Sequence, residues 1–186
     1  AFTDASPSAH TITNVGGVYH HIDDNRTANT ALYFDGDSAV IIPVHAEFGV
    51  TAGENFTVEC WFKTATTTAA YMGLVVAVGA DGNSNAFGLA LGTSDLTIFG
   101  ITHTNYNAWG TSDDADAYSK IFDQTWHHAA HVRYNGIQYI MLDGVVLKSE
   151  ASTDAVTATH KLHIGCWRVF PDSPFKGWID GARVTK

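Results

Sequence analysis

Hydrophobic and polar residues alternate along much of the chain, and the spacing typical of an amphipathic helix is scarce. The clearest alternation runs from Phe56 to Lys63, where the even positions are apolar and the odd positions are Thr, Glu, Trp and Lys. Successive side chains of a β-strand point to opposite sides of a sheet. The pattern therefore predicts a strand with one side packed in the core and the other facing solvent or a second layer.

Further apolar runs are short and are separated by turn-forming residues. The pairs Asn135-Gly136 and Asp143-Gly144 favour the positive φ angles of tight hairpin turns. About a dozen short strands with turn signals every 8–12 residues are typical of an all-β fold, here an antiparallel two-sheet β-sandwich of the jelly-roll kind. The other runs expected to form strands are 31–34, 39–42, 74–78, 86–91, 96–101, 126–134, 137–142, 145–148, 162–167 and 176–184.

The composition indicates how large a core the chain can form and which kinds of partner are disfavoured. The 186 residues are 45% hydrophobic, which is enough for one sizeable core, so we expect a single domain over residues 1–186. The net charge of -9 disfavours nucleic acid, because an acidic surface repels phosphate backbones. No apolar run approaches the roughly 20 residues that cross a bilayer, so no membrane insertion is expected.

Two cysteines, Cys60 and Cys166, are too few for a disulfide-stapled scaffold. Both lie in apolar segments, which favours buried free thiols, since a free cysteine packs as a small hydrophobe. A bridge between them stays open, because sequence alone does not place two Cα atoms at bonding separation.

Four segments in order resemble one family. They are Ala31 to Pro43, Phe56 to Lys63, Trp126 to Gly144, and the pair Leu162 to Gly165 with Phe175 to Val184. Together they are similar to the laminin-G-like (LamG type) jelly-roll domains of the concanavalin A-like lectin/glucanase superfamily. The N-terminal stretch from Asp4 to Thr13 more loosely resembles phage and marine bacterial members. The resemblance implies two antiparallel sheets, one of them concave, with the N-terminal strand beside the last one.

The resemblance also implies a structural Ca²⁺ near the junction of the two chain ends. Asp4 and Asp180 are the carboxylates expected there, since calcium prefers several oxygen ligands. The alternative is that Asp180 accepts hydrogen bonds from backbone amides and needs no ion.

Ten histidines suggest a second kind of metal site, one for zinc. The clusters are His20-His21, His127-His128 with His131, and His160 with His163. On a strand His127 and His131 share a side, and His128 points to the opposite one. His160 and His163 point to opposite sides of their strand. We therefore favour histidines as ordinary strand residues over a zinc site.

Catalysis is not expected. Glycanases of this superfamily carry two glutamates around an aspartate on one strand, which brings two carboxylates to the cleft for glycoside hydrolysis. Glutamate occurs here only at Glu47, Glu54, Glu59 and Glu150, and none of them forms such a strand.

The segment 103–118 is the richest in ligand-binding chemistry. Tyr106 and Trp109 offer flat faces, and Asp113 offers hydrogen-bond acceptors, a combination suited to sugars. Trp167 and Trp61 are further candidates, whereas Trp126 and Trp178 are assigned to the core. The alternative is that the aromatic residues of 103–118 only anchor a long loop.

These observations favour a non-catalytic carbohydrate-binding or adhesion module of an extracellular or phage virion surface protein. Its expected partner is a glycan or cell-surface polysaccharide. The alternative is a structural decoration or assembly domain of a phage particle that contacts other virion subunits. A glycoside hydrolase is the third and weakest hypothesis.

Overall fold

The computed structural model describes residues 2–27, 30–65, 71–79, 85–92, 97–101, 108–110, 121–157, 159–168 and 170–186. Within these ranges the chain forms fourteen strands and one short 3-10 helix. The strands are β1 (Thr13–Val15), β2 (Tyr19–His21), β3 (Ala31–Asp35), β4 (Ala39–Ile42), β5 (Phe56–Lys63), β6 (Tyr71–Gly79), β7 (Asn85–Gly92), β8 (Thr97–Ile101), β9 (Ala108–Gly110), β10 (His127–Tyr134), β11 (Ile137–Leu142), β12 (Val145–Ala151), β13 (His160–Ile164) and β14 (Lys176–Thr185). The 3-10 helix, η1, spans Ala46–Phe48.

The strands form two antiparallel seven-stranded sheets, which confirms the predicted fold class. Sheet A has the order β1-β4-β13-β6-β7-β8-β9, and sheet B has the order β12-β11-β10-β5-β14-β3-β2. The neighbouring runs β3 and β4 belong to different sheets, so residues 36–38 carry the chain from one layer to the other. Among the described residues no helix is long and apolar enough to span a membrane.

The core lies between the sheets and follows the alternation read from the sequence. In β5 the even positions are buried and the odd ones only partly buried. Sheet A faces them with residues such as Leu74, Leu89 and Leu162. Burial of these side chains at about 25 cal/mol per Å² of apolar area is the main term that holds the layers together.

Both predicted hairpin turns are present. Asn135 and Gly136 have φ values of 51° and 75°, and Asp143 and Gly144 have 50° and 80°. They join β10 to β11 and β11 to β12.

The predicted core positions of Trp126 and Trp178 were wrong. Both are only partly buried. Trp178 pairs with Lys63 and Tyr33, while the next residue, Ile179, is the buried one. We call the side of sheet B that faces away from the core the outer face of sheet B. Trp178 lies on this face, because its neighbours in β14 take the positions that point into the core.

Two histidines are buried and neutral. His131 contacts the carbonyl of Gly88 and the amide oxygen of Gln138, and burial lowers its pKa to about 4. His163 contacts the carbonyl of Arg168, and burial likewise lowers its pKa to about 4. As expected, His127 and His131 lie on the buried side of β10, and His128 lies on the other.

Cys60 and Cys166 are both free and buried, as favoured from the sequence. Burial raises the pKa of the Cys60 thiol well above its usual range, and it raises that of Cys166 to about 11. A buried, protonated thiol is a poor nucleophile, because the thiolate is the reactive form.

We therefore expect neither thiol of the folded protein to react with Ellman's reagent at pH 8, whereas both react in strong denaturant. The added thiol of Tyr134→Cys, at an exposed hairpin position, serves as the accessible control. Rapid reaction of a native cysteine, at the rate of that control, would contradict the burial.

Candidate ligand-binding site

A cavity of about 960 Å³ opens beside the N-terminal segment and the outer face of sheet B. Its walls come from residues 4–8, η1, β5, β10, β13 and β14. The polar side chains on these walls include Ser6, Ser8, Glu59, His128 and Arg183. Ligand pockets have volumes of roughly 300–1,000 Å³, so this cavity has room for a short oligosaccharide or a peptide loop.

Trp61 lines this cavity, and among the described residues it is the one predicted glycan-binding residue that does so. It lies on the outer face of sheet B because its neighbours Cys60 and Phe62 take the inward positions of β5. The guanidinium of Arg26 covers the indole ring at 4.5 Å from its centroid. His128 in β10 pairs with Trp61 in β5, and the centroids of their rings lie 5.1 Å apart with an interplanar angle of 50°.

Glu59 neighbours Trp61 on the same side of β5 and joins two basic groups. The Nε of Arg183 donates to its Oε1 at 2.8 Å, a second guanidinium nitrogen also contacts that oxygen, and the Nε2 of His128 lies 3.1 Å from Oε2. These contacts fix the carboxylate and satisfy both of its oxygens. Because Arg183 is largely exposed, the ion pair positions side chains more than it stabilises the fold.

The segment 22–27 is folded over the outer face of sheet B. Asp24 accepts hydrogen bonds from the Nζ of Lys63 and, at 2.7 Å, from the indole Nε1 of Trp126. The Lys63 ammonium in turn lies 5.1 Å from the ring centroid of Trp178. This segment brings Arg26 to its place above Trp61.

Asp180, a predicted calcium ligand, holds the same segment. Its carboxylate accepts hydrogen bonds of 2.7 Å from the amides of Arg26 and Thr27 and from the Thr27 hydroxyl. Burial alone raises the pKa of Asp180, but the hydrogen bonds from Thr27, Arg26 and Gly181 outweigh it, and the pKa lies below its usual value.

Asp4, the other predicted calcium ligand, closes a turn at the chain start. It accepts from the amide and hydroxyl of Ser6 at 2.8 and 2.7 Å, and from the amide of His10 at 2.8 Å. Burial raises the pKa of Asp4, and these hydrogen bonds lower it further than burial raises it.

The hydrogen bonds that Asp4 and Asp180 accept affect whether the two carboxylates can bind calcium. Both carboxylates face N–H and O–H groups, whose positive ends occupy positions that a cation would need. Among the described residues, neither carboxylate belongs to a group of three or more converging histidine, cysteine or acidic side chains. The calcium site therefore stays a prediction.

Of the other predicted ligand residues, Trp167 has a described side chain, and it lies on sheet A rather than beside Trp61. Trp167 is buried and stacks on Tyr71 at 5.6 Å, in a cluster with Val76, Val78 and Ala90 on sheet A. Trp109 lies in β9, with a side chain outside the described part of the chain, and Tyr106 and Asp113 also fall outside the described residues.

Sequence reasoning missed several residues of the site. Arg26, Glu59, His128 and Arg183 come from separate parts of the chain. Strand register brings the last three together, and hydrogen bonds to Asp180 hold the loop that carries Arg26. The odd positions of β5 carried a partial signal, since they place Glu59 and Trp61 on one side. A further group, His10, His45 and Glu47, was also missed.

Several solved structures share the fold of this sandwich. The binding domain of Paraclostridial Mosquitocidal Protein 1 is similar with a TM-score of 0.72 and 11% identity, covering 98% of this chain and 45% of that one. The binding domain of botulinum neurotoxin DC, in complex with rat synaptotagmin II, is similar with a TM-score of 0.65 and 14% identity, covering 98% and 44%. The chain thus spans less than half the length of these toxin domains.

A third structure is closer in size. Domain 4 of AbnA, an extracellular arabinanase from Geobacillus stearothermophilus, was solved in complex with arabinotriose. It has a TM-score of 0.60 and 18% identity, and the match covers 95% of this chain and 81% of that one. At these identities the likeness is one of fold.

Sequence comparison gives the family. No curated protein matches the chain. A laminin G family model, described as the concanavalin A-like lectin/glucanases superfamily, matches residues 34–186, which include every strand of both sheets from β4 onward. The chain therefore belongs to the concanavalin A-like lectin/glucanases superfamily.

Proposed function

We propose that this domain is a non-catalytic binding module for glycans, part of an extracellular or phage virion surface protein, and that the ligand binds in the cavity beside Trp61. The observation that carries the proposal is the position of Trp61. A partly buried indole forms one wall of a cavity of about 960 Å³ whose other walls present hydroxyl, imidazole, carboxylate and guanidinium groups. Sugar recognition combines one apolar face with several converging hydrogen-bonding groups.

Arg26 is the feature that distinguishes this indole from an open stacking platform. Its exposed guanidinium lies over the ring face, so a sugar that stacks there displaces it. A cation–π contact at an exposed site is worth about 0.5–1 kcal/mol, so displacement costs at most about fivefold in affinity. An acidic sugar would instead gain a guanidinium partner next to the ring.

The carboxylates on the cavity walls support binding over hydrolysis. A glycosidase needs one carboxyl group with a raised pKa as the acid. The pKa values of Asp4 and Glu47 are lowered, and Glu59 is held by Arg183 and His128. The solved complex of AbnA domain 4 with arabinotriose supports the same choice, since that domain shares this fold.

A glycan array tests the proposal, with neutral and acidic oligosaccharides, arabinotriose included, in buffers with and without Ca²⁺. The strongest ligand is then titrated calorimetrically against variants. Trp61→Ala is expected to weaken binding at least about tenfold, because it removes the stacking face. Tyr134→Ala, an exposed aromatic residue at a hairpin turn, is the matched control and should bind as the unaltered protein does. Absence of any glycan binding, or full binding by Trp61→Ala, would overturn the proposal.

The substitution Arg26→Ala separates neutral from acidic ligands. Because it uncovers the Trp61 ring, affinity for neutral glycans is expected to rise up to about fivefold. Affinity for acidic glycans is expected to fall, since a charge partner is lost. Lys161→Ala removes an exposed cation from sheet A and should change neither affinity. Equal changes for both ligand classes would show that Arg26 does not lie over the bound sugar.

A second candidate, an assembly role in a larger particle, is favoured by one observation. The edge strand β12 of sheet B carries two consecutive exposed valines, Val145 and Val146. An exposed apolar edge is a surface on which another subunit can pair. Light scattering over a concentration series tests it, and a monomer at all concentrations whose glycan binding depends on Trp61 favours the module over the assembly piece.

A further inference from the structure

We propose that His10, His45 and Glu47 form a binding site for a divalent transition metal of the zinc class. Each residue offers one ligand atom, and these atoms all lie within 4.8 Å of one another. Among the residues that the structure describes, they are the one group of three or more histidine, cysteine and acidic side chains that converge in this way. The site does not depend on whether the neighbouring cavity binds a glycan.

The distances approach those of a metal tetrahedron. The Oε2 of Glu47 lies 2.9 Å from the Nε2 of His10 and 3.6 Å from the Nδ1 of His45. Zinc bonds of about 2.0–2.2 Å to nitrogen and oxygen place neighbouring ligand atoms about 3.3–3.5 Å apart. The two imidazole ligand atoms lie within 4.8 Å of each other, so a shift of the rings of roughly an ångström would admit an ion that replaces the His10–Glu47 hydrogen bond.

The second imidazole is what separates this group from an ordinary surface ion pair. A hydrogen bond to Glu47 needs only His10, yet the ring of His45 lies 4.5 Å from that of His10, edge to face, and approaches the same carboxylate oxygen. Three donors of two chemical kinds around one point are the ligand set His₂Glu, which zinc accepts with one position left for water or another ligand.

Local structure holds each ligand in place. His45 is the N-terminal cap of η1, and its Nδ1 accepts from the amide of Glu47 at 3.3 Å, a long hydrogen bond that a metal bound at Nδ1 would replace. The His10 ring packs on Phe48 at 5.2 Å. The hydroxyl of Ser8 donates to Oε1 of Glu47 at 2.6 Å, which leaves Oε2 for the metal.

Charge favours a cation at this point. Glu47 is exposed, and an exposed glutamate carboxylate is an anion at neutral pH. The net charge of -9 for the whole chain adds a favourable field. Nitrogen ligands select zinc, cobalt or nickel over calcium, which takes oxygen ligands.

The metal would join two distant parts of the chain. His10 belongs to the segment before β1, and the other two ligands belong to η1 and its cap. Both His10 and Glu47 also line the cavity, so the fourth position of the ion is available to a hydroxyl or carboxylate of a molecule bound there.

Calorimetric titration of the chelator-treated protein with zinc chloride tests the site. We expect one zinc ion per chain, loss of at least about 100-fold in affinity for His45→Ala and for Glu47→Gln, and roughly tenfold weaker binding for Ser8→Ala, whose hydroxyl only orients the carboxylate. His20→Ala, an exposed histidine outside the group, is the matched control and should bind zinc unchanged. Calcium chloride should give no heat that depends on His45.

Two further readouts do not depend on affinity alone. Cobalt(II) should give the visible absorption of a tetrahedral nitrogen–oxygen site, and this band should vanish in His45→Ala. Zinc should raise the melting temperature of the unaltered protein and of His20→Ala but not of His45→Ala, because an ion that binds only the folded state stabilises it. Absence of zinc binding at micromolar concentrations, or equal binding by His45→Ala and Glu47→Gln, would overturn the proposal.

Discussion

Replacing Arg133 by methionine is expected to lower the free energy of unfolding by about 3–5 kcal/mol. Arg133 is 1% exposed although it carries a full charge. Its guanidinium donates to the carbonyls of Glu54 at 2.7 Å, Thr51 at 3.0 Å and Asp154, and lies 5.0 Å from the ring centroid of Phe56. Methionine leaves three carbonyls without these donors, and domains of this kind are stable by only about 5–15 kcal/mol.

Urea denaturation followed by circular dichroism measures this loss. Arg183→Met is the matched control, because Arg183 is 65% exposed in its side chain and its pair with Glu59 lies at the surface. Such pairs contribute about 0–1 kcal/mol. Equal losses in the two variants would show that the three carbonyls do not depend on Arg133.

The second large effect is acid destabilisation between pH 6.5 and 4. Burial lowers the pKa values of His131 and His163 to about 4, so the unfolded chain binds their protons first as the pH falls. Stability is therefore complete above about pH 6.5 and is lost as the pH falls towards 4, by roughly 3 kcal/mol for each histidine.

His127 opposes this trend over part of the range. Burial lowers its pKa, but hydrogen bonds to Asp143 and Asp123 raise it further than burial lowers it, to above its usual value. Its protonated form stabilises the fold at low pH, and that contribution is lost as the pH rises. Two buried neutral histidines outweigh one charged one, so the net effect is loss of stability in acid.

Urea titrations at half-unit pH steps check the second effect. In His163→Gln the loss between pH 6.5 and 4 is expected to shrink by roughly half, because one of the two buried neutral histidines is gone. His20→Gln, at an exposed position, should keep the full slope. A stability that is flat over this pH range, or an unchanged slope in His163→Gln, would show that these histidines are not buried neutral.

The parts of the fold that follow from local sequence were predictable. The period of two in β5 correctly gives its buried side, and the Asn-Gly and Asp-Gly pairs correctly give two hairpin turns, since both depend only on neighbouring residues. β2 and β9 were not predicted, because each has only three residues and carries no clear alternation. The resemblance implied an N-terminal strand beside the last one, and this was wrong, since β1 pairs with β4 in sheet A and β14 lies in sheet B.

The site was far less predictable. The alternation of β5, which is visible in the sequence, places Trp61 on the side of the cavity. Its partner Arg26, however, comes from a loop that is held by Asp180, 154 residues further along the chain. Trp167 was predicted to bind a ligand, yet it is buried against an apolar patch of sheet A. Such pairings depend on register and on loop paths, and no spacing along the chain encodes them.

The central claim is that a glycan binds against Trp61, and the indole N–H signals of the chain test it most directly. The chain has five tryptophans, and Trp61→Phe identifies the signal of Trp61 in a two-dimensional ¹H–¹⁵N spectrum. Titration with the strongest glycan of the array is predicted to shift that signal in a saturable way while the buried Trp167 signal stays in place. A saturating glycan that leaves the Trp61 signal unmoved, while other indole signals shift, would contradict the account.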